Sequence, residues 1–463
     1  MVWKTQIILF VVVAAAFQAL VLQLNPFFLS VILLPVYFLL VRGLTRRYVS
    51  RPVSTGRMLL EIFVLSFLVR IIEVFAFVFI LNQFNDMPFI SEHDDFNYHD
   101  SMYQMYTYWQ EHGVTTVQWT KIRFASGVYS GYPYFGAFMM EIFGPNIYAA
   151  RIGNAIASSV TVLFVFGILA NCADRTRTIF GTLLFAFAPI VTMFAACNFK
   201  DTMLLMCILA SIWSMSNFIN RRRWLPSVVI LLLAIGFMIF CRPASIFILL
   251  AGSFVYLFFQ ARSQKRTLII AFTNVLALVL TLAAWQHFDQ LGLTDDYERF
   301  FELNRNASQR TIAENTKAGV ARLSLAKVLG APLFAAASPF LPPTVLATYE
   351  GKEVTINYTF HGMLAYISLL PMMLAGVFTA FRNRRFLPIP FFLVVVCFLY
   401  KFAQASSLLT VFSPRQSLPA MAILIILVPF GIDRISPRSK FNVIVNLGAI
   451  LVILAYNVYR FYF

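Results

Sequence analysis

Long apolar stretches, interrupted by short polar connections, set the pattern of this chain. A helix needs about 20 apolar residues to cross the hydrocarbon layer of a bilayer. Thirteen stretches approach that length: residues 6–24, 27–43, 58–83, 148–171, 178–197, 201–219, 225–241, 244–260, 267–286, 360–381, 386–403, 416–433 and 441–460. The pattern therefore predicts an all-α polytopic membrane protein with about 13 transmembrane helices. Lys4 and the run from Gln6 to Leu24 resemble a signal peptide at first, but no small-residue cleavage site follows, so the run reads as a retained anchor.

Basic residues sort by connection. Arg46, Arg47, Arg51 and Arg57 fall in one, Arg175 and Arg177 in another, and Arg221, Arg222 and Arg223 in a third. Arg262, Lys265 and Arg266, then Arg382, Arg384 and Arg385, then Arg434, Arg438 and Lys440 complete an alternating series. Short loops rich in Lys and Arg resist translocation, which puts all six on the cytoplasmic side. Two long segments, residues 84–147 and 287–359, then face the opposite side and hold most of the carboxylates. In the first, Tyr103, Tyr106, Trp109 and Trp119 suit amphipathic helices at headgroup level, and residues 135–143 suit another. In the second, the apolar stretch 326–348 is broken by Pro332, Pro339, Pro342 and Pro343 and reads as dipping into the membrane without crossing it. The organisation expected is two N-terminal helices (1–57), a helical module with an outer loop (58–286), a second outer loop (287–359) and C-terminal helices (360–463).

Composition agrees: 60% of the 463 residues are hydrophobic, only 12% are charged, and 50 are phenylalanine, so the solvent of most of the surface is lipid. The formal net charge of +16 would suggest nucleic acid in a soluble protein, but here it is distributed by loop, and no nucleic-acid partner is expected. Cys172, Cys197, Cys207, Cys241 and Cys397 lie in or beside apolar segments without CxxC spacing and read as packing residues. No P-loop, GxGxxG, HExxH or zinc-ligand spacing occurs.

Candidate chemistry gathers where residue 84–147 begins its polar course: Glu92, His93, Asp94, Asp95, Tyr98, His99 and Asp100. Adjacent carboxylates raise one another's pKa, so one of them can act as general base toward an incoming hydroxyl or hold a divalent cation, Mg or Mn. A solvated acidic loop start with helix caps is the alternative on these residues alone. Arg151, Lys200, Arg242 and Arg415 stand at helix ends on the side of this loop, with Lys121 and Arg123 in the loop; each has an alternative role as a snorkelling or headgroup residue. Asp201 either pairs with Lys200, faces the same cavity as Asp94, or caps its helix. Arg70 and Glu73, one turn apart, read as neutralising each other inside the bundle, and Glu61 lies near the cytoplasmic end.

The run Asp94-Asp95-Phe96-Asn97-Tyr98 resembles the acidic signature in the first large outer loop of the GT-C membrane glycosyltransferases. Gly131-Tyr132-Pro133-Tyr134, Ile142-Phe143-Gly144-Pro145 and Ala149-Ala150-Arg151-Ile152-Gly153-Asn154 are similar to the run that follows it in bacterial members, the aminoarabinose transferase and protein mannosyltransferase relatives. Pro189, Asn198-Phe199-Lys200-Asp201 and Arg242-Pro243 are similar to the next outward turns, so the likeness covers roughly residues 58–260. The chain departs from it in having Ser130 to Pro133 where paired prolines and a lysine stand in better-known members, and in having two preceding helices. Arg415 before a proline-containing helix is the loose C-terminal match.

The resemblance implies a multi-pass enzyme of the plasma membrane, bacterial by its relatives, whose outer loops shape a cavity for a polyprenyl-phosphate-linked sugar and a saccharide, lipid or protein acceptor. It implies Asp94 as catalytic base, with Asp95 tuning it or helping to hold a metal. Lys121, Arg123, Arg151, Lys200, Arg242 and Arg415 become candidates for the donor phosphate, and Glu92, Tyr98, His99, Tyr132 and Asp201 for the acceptor or cavity. The reaction implied is an inverting displacement at the anomeric carbon. A polymerase of lipid-linked oligosaccharides and a flippase for a lipid-linked saccharide are the competing readings, the second calling for internal repeats and broken helices.

Overall fold

The computed structural model describes residues 29–50, 53–85, 87–89, 94–113, 131–220, 223–242, 244–260, 365–366, 368–406 and 414–432, with a few isolated positions besides. The expected spans 6–24, 267–286 and 441–460 lie wholly or almost wholly outside these, as does the segment 287–359 with its stretch 326–348. Among the described residues the structure is helical, with no strand. In chain order the helices are α1 Leu29–Ser50, α2 Thr55–Asn85, α3 Asp94–His112, α4 Gly131–Phe143, α5 Ala149–Ala170, α6 Arg175–Ala186 and α7 Pro189–Ala195. They continue as α8 Asp201–Asn220, α9 Trp224–Cys241, α10 Ala244–Gln260, α11 Leu370–Arg382, α12 Pro388–Ser406 and α13 Pro414–Gly431.

Four of these, over Thr55–Phe79, Ala149–Ala170, Asp201–Asn220 and Trp224–Cys241, are long and apolar enough to cross a membrane. The chain is thus a multi-pass membrane protein. α5 and α8 form its interior with α6 and α13, while α2 and α9 turn large apolar side chains such as Leu60, Phe79 and Leu233 outward, as lipid-facing helices do. Helices α3 and α4, expected as amphipathic pieces of the acidic loop, pack on one another and carry the aromatic cluster Trp109, Tyr134 and Tyr106.

Two expectations need correction. The stretch 27–43 does not end at its last apolar residue: α1 runs on to Ser50 through Arg46 and Arg47. Arg47, Tyr48 and Arg57 converge there on Glu61 at 3.3, 3.1 and 3.1 Å, so this carboxylate ties α1 to the start of α2. The stretch 178–197 is not one helix but two, α6 and α7, bent by 46°. Pro189 has no amide hydrogen and pushes the residue before it out of the helical region; Ala188 accordingly sits at φ −61°, ψ 118°.

Hydrogen bonding to other helices is what a break within a membrane requires, since no water is at hand. Arg70, fully buried on α2, donates from Nη1 to the Ala186 carbonyl at 2.9 Å and from Nε to Ser158 of α5 at 2.7 Å, and also bonds Ser66. Glu73 acts on it electrostatically, so neutralisation is one part of a larger polar knot. Tyr37 of α1 donates to the Leu184 carbonyl at 2.9 Å.

The C-terminal helices close on this core through glycines. A Cβ added at Gly376 of α11 would overlap the Leu427 carbonyl of α13, and one added at Gly431 would overlap that of Met372. Small residues let membrane helices approach this closely. Gly376→Leu should therefore split the α11–α13 contact at a cost on the order of 1–3 kcal/mol or more. The check is a lower unfolding temperature in detergent, with Leu374→Ala on the lipid-facing side of α11 as the tolerated control.

Candidate active site

The end of the bundle opposite the arginine loops is built around residues 196–200, the link between α7 and α8. Its backbone is irregular and buried, and side chains from three helices satisfy it. Asn154 of α5 donates from Nδ2 to the carbonyls of Cys197 and Phe199 at 2.7 and 3.2 Å. Thr202 donates to the Phe194 carbonyl at 2.9 Å, and Asp95 of α3 accepts the Asn198 amide hydrogen at 2.8 Å.

Asp95 and Arg151 form the centre. Both side chains are 0% exposed, and Arg151 Nη2 lies 3.2 Å from Asp95 Oδ2. The same nitrogen donates to the Pro88 carbonyl at 2.6 Å, and the guanidinium lies 5.4 Å from the centre of the Phe89 ring. One arginine thereby fastens α3, α5 and the connection from α2. Its Nε and Nη1 have no partner among the described residues.

One turn further along α5, Asn154 also donates to the Tyr132 hydroxyl at 2.8 Å, fixing the start of α4. Tyr98 of α3 meets Tyr132 edge to face at 5.3 Å, and Lys200 Nζ lies 5.9 Å from the Tyr98 ring centre. Lys200 and Asp201 are nearly buried. Arg242, after α9, reaches Asp201 at 3.6 Å and keeps about a quarter of its side chain exposed (26%). It also bonds the Tyr400 hydroxyl of α12. Next to Tyr400, the buried Lys401 donates to Ser417 of α13 at 2.9 Å.

His99 lies beside this network, its ring 5.3 Å from Phe89 and its buried Nδ1 without a partner among the described residues. Burial, and then the positive charge of Arg151, push its pKa below the ordinary 6.5 against the opposing pull of Asp95 and Asp100. The imidazole is therefore neutral at pH 7. Burial raises the Tyr132 hydroxyl well above its ordinary value, so it stays protonated.

Of the residues singled out in sequence, the structure joins Asp95 to Arg151, Tyr98 to Tyr132 and Lys200, and Asp201 to Arg242. Asp94 opens α3 and Arg415 lies in the first turn of α13, with side chains outside the described residues; Glu92, His93, Trp119, Lys121 and Arg123 fall outside them too. Three residues enter that sequence reading passed over. Asn154 and Asn198 stood inside quoted motifs without a role, and Lys401 was a lone cation near the end of an apolar stretch, a position that costs energy and signals a purpose.

The Asp94 side chain, considered above with Asp95 for a divalent cation, lies outside the described residues. No three His, Cys, Asp or Glu side chains converge among them, and both Asp95 oxygens are already engaged.

Removing one partner of a buried pair strands the other charge. Asp95→Asn and Arg151→Gln should each cost on the order of 3 kcal/mol and loosen α3, read as a lower unfolding temperature, while the double variant costs less than the sum. For His99 the folded pKa is lowered, so stability is complete above about pH 6.5 and declines as pH falls through the folded value. Unfolding temperatures between pH 7 and 5 should fall less steeply for His99→Gln than for the unaltered protein.

The family model described as dolichyl-phosphate-mannose-protein mannosyltransferase matches residues 131–285, about a third of the chain. The match begins at α4, so it includes Arg151, Asn154, Lys200, Asp201 and Arg242 and leaves out α3. Comparison with curated sequences gives no match. Among solved structures, the archaeal oligosaccharyltransferase AglB of Archaeoglobus fulgidus, in complex with an inhibitory peptide and a dolichol-phosphate, aligns over 87% of this chain at 14% identity with a TM-score of 0.47. The chain spans about half of that protein, 54%. ArnT of Cupriavidus metallidurans bound to undecaprenyl phosphate aligns over 79% of this chain and 78% of its own at 14% identity, with a TM-score of 0.38. The family match thus covers most of the polar network, within the part of the chain whose residue pattern resembles the GT-C membrane glycosyltransferases.

Proposed function

We propose that the protein transfers a sugar from a polyprenyl-phosphate-linked donor to a saccharide, lipid or protein acceptor at the extracytoplasmic face of the plasma membrane. The observation that carries this reading is the junction of α3, α5 and the α7–α8 link at Asp95 and Arg151, beside the cations Lys200, Arg242 and Lys401. It lies at the end of the bundle away from the arginine loops, where the charge rule puts the extracytoplasmic side.

Roles divide by what each group has left to give. Asp95 has both oxygens committed and acts as a positioning residue, fixing the start of α3. Asp94, the first residue of that helix, is the base. It takes the proton of the acceptor hydroxyl as that oxygen attacks the anomeric carbon; the bond from this carbon to the phosphate oxygen breaks, and its electron pair leaves with the polyprenyl phosphate. Attack opposite the leaving group inverts the anomeric centre. Lys200, Arg242 and Arg415 supply positive charge for the departing phosphate. Arg242 suits this because its exposed edge remains open beside Asp201. Tyr98, His99 and Tyr132 line the acceptor side.

The broken pair α6–α7 favours a second reading, a flippase for a lipid-linked saccharide, since transporters place broken helices at their substrate sites. One experiment separates the two: transfer of labelled sugar from membrane lipid to acceptor in vesicles, alongside lipid translocation, for the unaltered protein and Asp94→Asn at equal expression. The expected result is a loss of transfer of about 100-fold or more with unchanged folding. Undiminished transfer removes the assignment of the base, and absent transfer with lipid translocation in the unaltered protein establishes the flippase.

A further inference from the structure

The opposite end of the molecule holds a second charged site that sugar transfer does not use. Arg42 and Arg46 of α1 and Arg177 of α6 line a cavity of about 410 Å³ between α1, α6 and the end of α13. Arg177 is paired with Asp174 at 3.4 Å, and that carboxylate also caps α6 by accepting the Arg177 amide hydrogen. Arg42 and Arg46 have no ion pair among the described residues. They stand one turn apart on one helix, where like charges repel, and share the cavity with the hydroxyl residues Thr45 and Thr176. Three cations against a single carboxylate leave the cavity electropositive. Its apolar wall is Phe180 and Ile432.

An anion that brings its own hydrocarbon fits such a cavity better than a free ion. Arg42 ends the apolar part of α1, so the cavity opens at the depth of lipid headgroups. We propose that it binds the phosphate headgroup of an anionic glycerophospholipid of the arginine-loop leaflet, with Arg42 and Arg46 on the phosphate, Thr45 and Thr176 as secondary donors, and the first acyl carbons against Phe180 and Ile432. The lipid clamps α1 to α6, and through the Tyr37 bond to Leu184 it supports the helix that breaks at Pro189.

Native mass spectrometry of the full chain released from neutral detergent, with added phosphatidylglycerol, phosphatidylcholine or inorganic phosphate, tests this. Phosphatidylglycerol should be retained, and its affinity should fall about tenfold or more in Arg42→Gln/Arg46→Gln. Arg382→Gln/Arg385→Gln removes the same charge from an exposed turn at the same end and should leave affinity unchanged. Equal binding in the first double variant, equal losses in both, or displacement of the lipid by inorganic phosphate would overturn the proposal. Should the first double variant fail to fold, Arg42→Lys and Arg42→Gln decide it: retention by lysine and loss by glutamine is expected, and equal retention by both refutes it.

Discussion

Pro189 breaks a helix inside a membrane protein, and the rest of the polar architecture answers that break. Lipid offers no hydrogen bonds, so each backbone group released between Ala186 and Lys200 needs a partner within the protein. The partners come from separated parts of the chain: Arg70 to the Ala186 carbonyl, Thr202 to Phe194, Asn154 to Cys197 and Phe199, and Asp95 to the Asn198 amide. Each tie also fixes the helix that supplies it. The irregular segment is thereby the hub against which α2, α3, α5 and α8 are set.

This explains why a buried carboxylate is tolerated at the candidate site. Asp95 alone would carry a heavy desolvation penalty; Arg151 and the Asn198 amide offset it, and Arg151 is offset in turn by Pro88 and the Phe89 ring. The pair gives little net stability, but it specifies one seating for α3 on α5. A loop helix that begins with two carboxylates is thereby held in a single register, as the base proposed at Asp94 would require. His99, kept neutral beside Arg151, adds polarity without adding charge.

The two ends of the bundle use charge differently. At the acidic-loop end cations are interleaved with aromatics and carboxylates: Lys200 by Tyr98, Arg242 by Asp201 and Tyr400. At the other end arginines outnumber carboxylates, as in the cavity of Arg42, Arg46 and Arg177. Balanced charge suits a site that must bind and release, whereas unbalanced charge suits an anionic surface that is always present.

The sequence by itself determined where several of the long helices lie, because apolar length acts locally. Spans expected at 58–83, 148–171, 201–219 and 225–241 lie within a few residues of α2, α5, α8 and α9. It also marked Asp95, Tyr98, Tyr132, Arg151, Lys200, Asp201 and Arg242, since ionisable and aromatic residues grouped beside apolar stretches are costly enough to stand out. Only the tertiary structure decided their partners. That Asp95 is spent on Arg151, that Asn154 joins it in holding the α7–α8 link, and that Lys401 reaches Ser417 depend on contacts across 56, 43 and 16 positions. Such pairings arise from how helices cross, and hydropathy, a sum over neighbours in sequence, carries no information about crossing.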